Sequence, residues 1–416
     1  MLNNQLTVAE KPEKFFVTFN DFMSLPLFFY HTIGVDPYES TSSNSVPSRW
    51  LYVNFMVHVT NMGFNFVMEC MFVVLYYKDT ESIVDVCMTI CYVGFVLVSQ
   101  LKTISVWRQK SKLNALVREM ESIFPSPNRV EQQKYQVDYY LRRCRFFLRG
   151  FSGLYLVLAV TYSFYIYVKY LIQHWLMQST EAEKAMPYFS ISPWDWHNNW
   201  SYYLMYLLQV LGAYTATTGH ISADILIYAV NMQLVMHFDY LSNELTEFKN
   251  DAAMLHGTKS YAKDLKLLQD LISYHNKLLG LSDVMNNVFG MPLLLNFLTS
   301  SVMVCFVGFQ MTLGLSADHT VKLALFLISA VSEIYLICYF SDLLIVASES
   351  VASAVYKMEW FEGDSRFRKM LIFIALRAQK PVCLKATVFL DISMETMTMF
   401  LKMSYRLFCV IRTMYQ

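Results

Sequence analysis

Charge is scarce in this chain and favours neither sign. Only 16% of the 416 residues are charged, and Lys plus Arg equal Asp plus Glu at 33 each. That balance leaves no electrostatic footprint for nucleic acid and none for an acidic partner. Catalytic signatures are missing as well: there is no H-E-x-x-H, G-x-S-x-G, P-loop, His-rich metal set or internal repeat, so neither enzyme chemistry nor a cofactor is implied. Eight cysteines are present, six in apolar segments and Cys144 and Cys383 in basic linkers, with no zinc spacing and no disulfide framework. Residues 1–49 lack a basic start, a continuous apolar core and a small-residue cleavage site, and read as a cytoplasmic segment rather than a cleavable leader.

What is abundant is apolar surface. Hydrophobic residues make up 55% of the chain, aromatics 16%, and the mean hydropathy is +0.33, which places the chain in a membrane. A helix crossing a hydrocarbon core of about 30 Å needs roughly 20 apolar residues. Seven stretches qualify, at 50–76, 83–105, 146–172, 200–232, 288–314, 321–347 and, more polar than the rest, 388–412. With the span ends counted beside their loops, 26 Lys and Arg fall on one side of these spans and 4 on the other. Retention of positive charge in the cytoplasm therefore predicts a cytoplasmic N-terminus and an extracellular C-terminus. Tryptophans 50, 107, 175, 194, 196 and 200 sit at span ends, as an interfacial belt requires. The sequon at Asn199-Trp200-Ser201 falls in an outer loop, although its bulky middle residue and closeness to the membrane oppose glycosylation.

Seven spans admit several classes. A G-protein-coupled receptor requires the opposite orientation, and D-R-Y, N-P-x-x-Y and outer-loop cysteines are absent. A transporter of small lipophiles and a metabotropic receptor without a pore stay open as alternatives to a ligand-gated channel. His220 and Asp224, four residues apart in the fourth span among Thr215, Thr217, Thr218 and Ser222, are either a metal or proton site or a polar packing face.

Residues 348–386, through Ala354, Tyr356, Trp360, Arg368, Lys369 and Arg377-Ala378-Gln379-Lys380-Pro381, resemble the most recognisable segment of insect odorant receptors. Ser393, Glu395, Lys402, Ser404 and Tyr405 resemble that family's last helix, and I-G-V-D-P at 33–37, His275, Phe289, Ser300, Ser301 and Cys305 extend the likeness. The last helix lacks the Gln-Phe of the sister gustatory receptors. Only about 50 residues, 237–287, separate the fourth and fifth spans, where the shared co-receptor has a long insertion. The likeness is therefore to a ligand-specific tuning subunit.

The resemblance implies an all-α membrane protein of seven transmembrane helices in the plasma membrane of olfactory sensory neurons. It also implies a heterotetrameric cation channel formed with the odorant receptor co-receptor and opened by a small volatile odorant. The implied organisation is a cytoplasmic segment over 1–49, a six-helix ligand-binding region over 50–347 with cytoplasmic helical extensions at 237–287, an anchor helix within 348–387, and a pore-lining helix over 388–416. Tyr356, Trp360, Arg377, Gln379 and Pro381 belong to the anchor, in which Met370, Leu371, Ile374 and Leu376 are the apolar positions. On the last helix Asp391, Glu395, Thr398, Lys402 and Arg406 are spaced as one polar stripe, and the match places the gate at Tyr405, Phe408 and Ile411 or Arg412. An odorant pocket in the outer halves of spans two to six falls on Met88, Cys91, Tyr92 and Phe95, on Tyr162, Tyr165 and Ile166, on Tyr203, Tyr206 and Leu207, and on Phe306 and Phe309. That lining suits a small, mostly apolar ligand with a tyrosine hydroxyl for one directed hydrogen bond.

Overall fold

A computed structural model describes residues 16–39, 48–78, 83–176, 184–195, 200–248, 258–313 and 317–415. Its helices are α1 (Phe19–Thr32), α2 (Ser48–Tyr76), α3 (Ile83–Arg108), α4 (Lys110–Ile123), α5 (Arg129–Lys134), α6 (Val137–Leu171), α7 (Ser201–Thr246), α8 (Thr258–Met311), α9 (Ala317–Lys357), α10 (Ser365–Ala378) and α11 (Met394–Tyr415). Six of them, α2, α3, α6, α7, α8 and α9, are long and apolar enough to cross a membrane. The seventh, α11, has 22 residues, about 33 Å at 1.5 Å per residue. Asn199 lies outside the described residues.

One helix organises the rest. Every residue of α7 from Thr215 to Phe238 is buried, because α1, α2, α3, α6, α8 and α9 all touch it. Within the 237–287 stretch expected to hold helical extensions, the described residues are direct continuations, with α7 running on to Thr246 and α8 beginning at Thr258, rather than separate helices. We call the end of the bundle where these extensions lie the anchor end, and the opposite end, with segment 184–195, the loop end.

The amphipathic α1, an interrupted apolar patch in the sequence, seals the anchor end against α7. Thr18 starts it by donating from its backbone N and its hydroxyl to Asp21 Oδ2 at 2.8 and 2.9 Å, and Phe22, Met23 and Tyr30 are fully enclosed. Each apolar side chain so buried stabilises by roughly 1.5–3 kcal/mol. Pro292 interrupts the hydrogen-bond ladder of α8, since it has no N–H for the carbonyl of Val288. That carbonyl accepts instead from Ser105 Oγ at 3.2 Å and Gln109 Nε2 at 3.1 Å, which ties α8 to the end of α3. All eight cysteines are free thiols.

Helix α10 begins at Asp364, whose Oδ1 accepts from Phe367 N at 2.8 Å, and ends before Pro381. Phe367, Leu371 and Ile374 are its buried face, Met370 is half-buried, and Leu376, expected on the same face, is exposed. The chain then forms a short hairpin, with β1 (Lys385–Ala386) antiparallel to β2 (Leu390–Asp391). Two helices clamp it. Asn286 of α8 donates to Cys383 O at 2.9 Å and accepts from Lys385 N at 3.0 Å, and Ser341 of α9 donates to Ile392 O at 2.6 Å.

The hairpin corrects one expectation. Asp391 pairs with Lys385 in the sheet and is exposed, so it is not part of the helical stripe. The turn passes through Thr387 at φ 64°, and α11 starts only at Met394, after Thr396 Oγ1 donates to Asp391 O at 2.9 Å.

Candidate functional site

Of the spaces that open at the loop end among the described residues, two share a wall. The larger, of about 300 Å³, lies between α3, α6, α9 and segment 184–195, and is lined among others by Met88, Tyr92, Tyr165, Ile166, Phe189, His319 and Lys322. The smaller, of about 50 Å³, lies between α2, α3 and α7 and is lined by Asn65, Glu69, Tyr92, Phe95, Tyr188 and Gln209 among others. Tyr92 forms a wall of both. Its ring meets Tyr188 edge-on at 5.1 Å and Tyr162 at 5.8 Å, so the shared wall belongs to an aromatic cluster. Lys322 Nζ sits over the Tyr165 ring, 4.7 Å from its centroid, which brings a cation to the rim of the larger space.

The expected pocket residues divide into two groups. Met88, Cys91, Tyr92 and Tyr162 form one buried apolar cluster, with Phe306 and Phe95 packed against it. Tyr206 is half-buried and donates its hydroxyl to Ser163 O, and Phe309 is buried without lining either space. Tyr203 and Leu207 are a correction: they are 54% and 63% exposed and point away from the bundle. Both lie on one face of α7, four residues apart, while Tyr202, Met205 and Gln209 turn the neighbouring face inward.

Below the smaller space is an ionic cluster of which the spacing along the chain reveals only His220 and Asp224. Lys102 Nζ donates to Asp224 Oδ1 and Oδ2 at 2.8 and 2.9 Å and to Glu333 Oε1 at 2.8 Å, and lies 3.1 Å from His220 Nδ1. Asn296 Nδ2 donates to Glu333 Oε1 and Tyr155 to Glu333 Oε2, each at 2.7 Å. One ammonium thus ties α3, α7 and α9 together, with α8 and α6 attached through Asn296 and Tyr155. His220, Asp224 and Glu333 have a metal-ligand composition, but the ammonium of Lys102 occupies the place of a cation. Because His220 Nδ1 faces an ammonium it must accept, which puts its proton on Nε2, 3.5 Å from Glu333 Oε2. Counting charges along the chain groups Lys102 with the cytoplasmic residues, whereas the fold encloses it. Its position inside an apolar run, like that of Glu333, is the signal that points to this.

Phe95 joins the two regions. Its ring lines the smaller space and stands edge-on to His220 at 4.4 Å. Phe95 therefore places the smaller space in contact with the ionic cluster.

At the other end of the chain, α11 packs on α8 and α9. Thr396, Met397, Phe400 and Ser404 are its buried face, whereas Glu395, Thr398, Lys402 and Arg406 are all exposed. Tyr405 is 68% exposed and stacks on Phe408 with ring centroids 6.2 Å apart. Phe408 and Ile411 are half-buried and Arg412 is exposed. Phe408 leans toward α8, where a Cβ at Gly308 would meet its Cδ2 at 3.6 Å. In the anchor segment, Tyr356, Trp360, Arg377, Gln379 and Pro381 are exposed.

Comparison with known proteins accounts for this arrangement. The sequence profile of the 7tm odorant receptor family matches residues 82–405. The chain belongs to the insect odorant receptor family. The receptor is 43% identical to odorant receptor 67a of Drosophila melanogaster over 98% of its own length and 99% of the relative's. It is 37% identical to odorant receptor 85c of the same species, covering 95% and 99%. Its fold is similar to that of the insect olfactory receptor OR5 from Machilis hrabei solved in complex with eugenol, with a TM-score of 0.78 at 15% identity, covering 95% of the receptor and 97% of that chain.

Proposed function

We propose that the receptor is the odorant-binding subunit of a cation channel, that it works in the plasma membrane of olfactory neurons with the odorant receptor co-receptor, and that it performs no enzymatic reaction. The observation that carries this reading is the uncovered polar face of α11. A membrane helix that exposes Glu395, Thr398, Lys402 and Arg406 cannot leave them in lipid, so other subunits and water must cover them. Four such helices around an axis enclose an aqueous path. Its narrow part falls at Tyr405, held from behind by Phe408 and followed by Ile411 and Arg412. Rings of apolar side chains at such a constriction block ions by dewetting.

The same reading places the loop end outside the cell, in agreement with the positive charge retained at the anchor end. Odorant binds in the loop-end spaces around Met88, Cys91, Tyr92 and Tyr162, and the solved relative's complex with eugenol supports a small aromatic ligand there. Displacement of α8 and α9 reaches α11 through the Asn286 and Ser341 clamps on the hairpin, and the gate wets. At the anchor end, Phe361, Ile372, Phe373 and Leu376 are exposed apolar side chains around α10, an area that a neighbouring subunit buries.

The test is current in excised patches free of nucleotides, from cells expressing the receptor with the co-receptor. Odorant-evoked current under those conditions is expected. An odorant that activates intact cells but evokes no current in the patch would identify a metabotropic receptor instead.

A further inference from the structure

Between α3, α6, α8 and α9 the apolar cluster encloses a third space, of about 10 Å³, walled by Met88, Cys91, Tyr92, Tyr162 and Phe326 among others. One carboxamide completes that wall. Gln310, in the last turn of α8, is 0% exposed, yet neither its Oε1 nor its Nε2 reaches a nitrogen or oxygen hydrogen-bond partner among the described residues. The Cys87 thiol lies beside it and is a weak partner. Buried carboxamides are ordinarily paired, because an unpaired one loses its hydrogen bonds to water without replacement. An amide left open in an apolar wall is what a binding site needs to orient a small ligand.

The space as it stands holds about one water-sized sphere. Met88 and Tyr92, however, also line the 300 Å³ cavity. Met88 is unbranched and adaptable, and a change in its rotamer is the movement by which the two spaces would join. Tyr162 is already committed, donating to Lys322 O at 3.0 Å. Among the described residues neither space is lined by Asp or Glu, whereas Lys169, His319 and Lys322 line the larger one. The surroundings favour a ligand that accepts hydrogen bonds.

We propose that Gln310 is the specificity-determining contact of the ligand site, and that its Nε2 donates to the carbonyl oxygen of a ketone or ester. The ligand's apolar body then lies against Tyr92, Tyr162 and Phe326. This deepens the odorant-binding reading and rests on it for the location of the ligand, but not on the existence of a pore.

Acetophenone and ethylbenzene share a carbon skeleton and differ in the carbonyl, and serve as probes. Stabilisation of the full-length receptor in detergent micelles against heating reports binding directly. Currents from the receptor co-expressed with the co-receptor report gating. Wild type is expected to respond to acetophenone at about tenfold lower concentration than to ethylbenzene, and Gln310→Leu to bring the two within about twofold of each other. Ligand-free Gln310→Leu is expected to melt at or above wild type, since it removes an unpaired amide, and Cys87→Ala to keep the preference. A Gln310→Leu receptor that still prefers acetophenone, a wild type with no preference, a wild type that acetophenone neither stabilises nor activates, or a ligand-free Gln310→Leu that melts below wild type each overturns the assignment. Gln310-dependent stabilisation without current upholds it and removes the channel reading instead.

Discussion

Lys102 on α3 and Glu333 on α9 meet at 2.8 Å, Nζ to Oε1, at 2% exposure each and 231 residues apart in the chain. The ammonium also holds both oxygens of Asp224. Removing one partner of a buried ion pair leaves an uncompensated charge, at a cost of roughly 3–5 kcal/mol. Lys102→Met is therefore expected to abolish delivery to the cell surface. Adding Asp224→Asn and Glu333→Gln to it is expected to restore much of that delivery. Equal losses in the single and triple variants would show that packing, and not charge balance, holds the cluster.

Gly34 follows α1 at φ +76°, and a Cβ there would lie 2.4 Å from both Leu51 O and Phe55 N. Left-handed backbone and a clash with backbone atoms act together, so Gly34→Ala is expected to cost roughly 2–4 kcal/mol. Gly280, in mid-helix with open space around it, is the control, and Gly280→Ala is expected to be neutral or slightly stabilising. Surface labelling of the two variants measures the contrast.

Asp36, two residues further on, is 2.8 Å from Lys110 Nζ and 3.8 Å from His31 Nε2. Partial burial pushes its carboxyl upward, but hydrogen bonds and charge from His31 and Lys110 outweigh that and hold it below the usual carboxylate range. The ionised form is thus favoured by folding. Its contribution is complete above the unfolded value near 3.9 and is lost as pH falls through the lower folded value. Thermal melting of the solubilised receptor between pH 7 and 3 is expected to decline in acid, and Asp36→Asn to show a smaller decline. Parallel acid profiles would count against this assignment.

The exposed α11 face gives a permeation test. Lys402→Glu reverses one charge per receptor subunit on the proposed aqueous path, and a roughly twofold or larger change in single-channel conductance is expected from the altered local potential. The odorant concentration for half-maximal response is expected to stay within about twofold. A changed odorant response with unaltered conductance would move Lys402 out of the pore.

The stripe itself is legible in the sequence, because residues three and four apart share a helix face. Its first member is not. Asp391 keeps the spacing, but nothing in the spacing shows that the helix begins at Met394 and that a hairpin precedes it. Tyr203 and Leu207 mislead for a related reason: α7 has no one-sided apolar stripe, so its sequence carries no signal for which face meets the cavity. Tyr92 and Tyr162 are legible as aromatic lining. Gln310 is not, since a single amide in an apolar run looks the same paired or unpaired.

Spans, their order and the polar stripe follow from local properties, namely the length of apolar runs, the placement of Lys and Arg, and the 3.6-residue period. The order of residues settles those without reference to the rest of the fold. Which residues meet across the bundle is a matter of tertiary packing. Lys102, Asp224 and Glu333 reside on three helices joined through more than two hundred residues of chain, and low-dielectric burial rewards whichever arrangement brings their charges together. No periodicity along the chain records that choice.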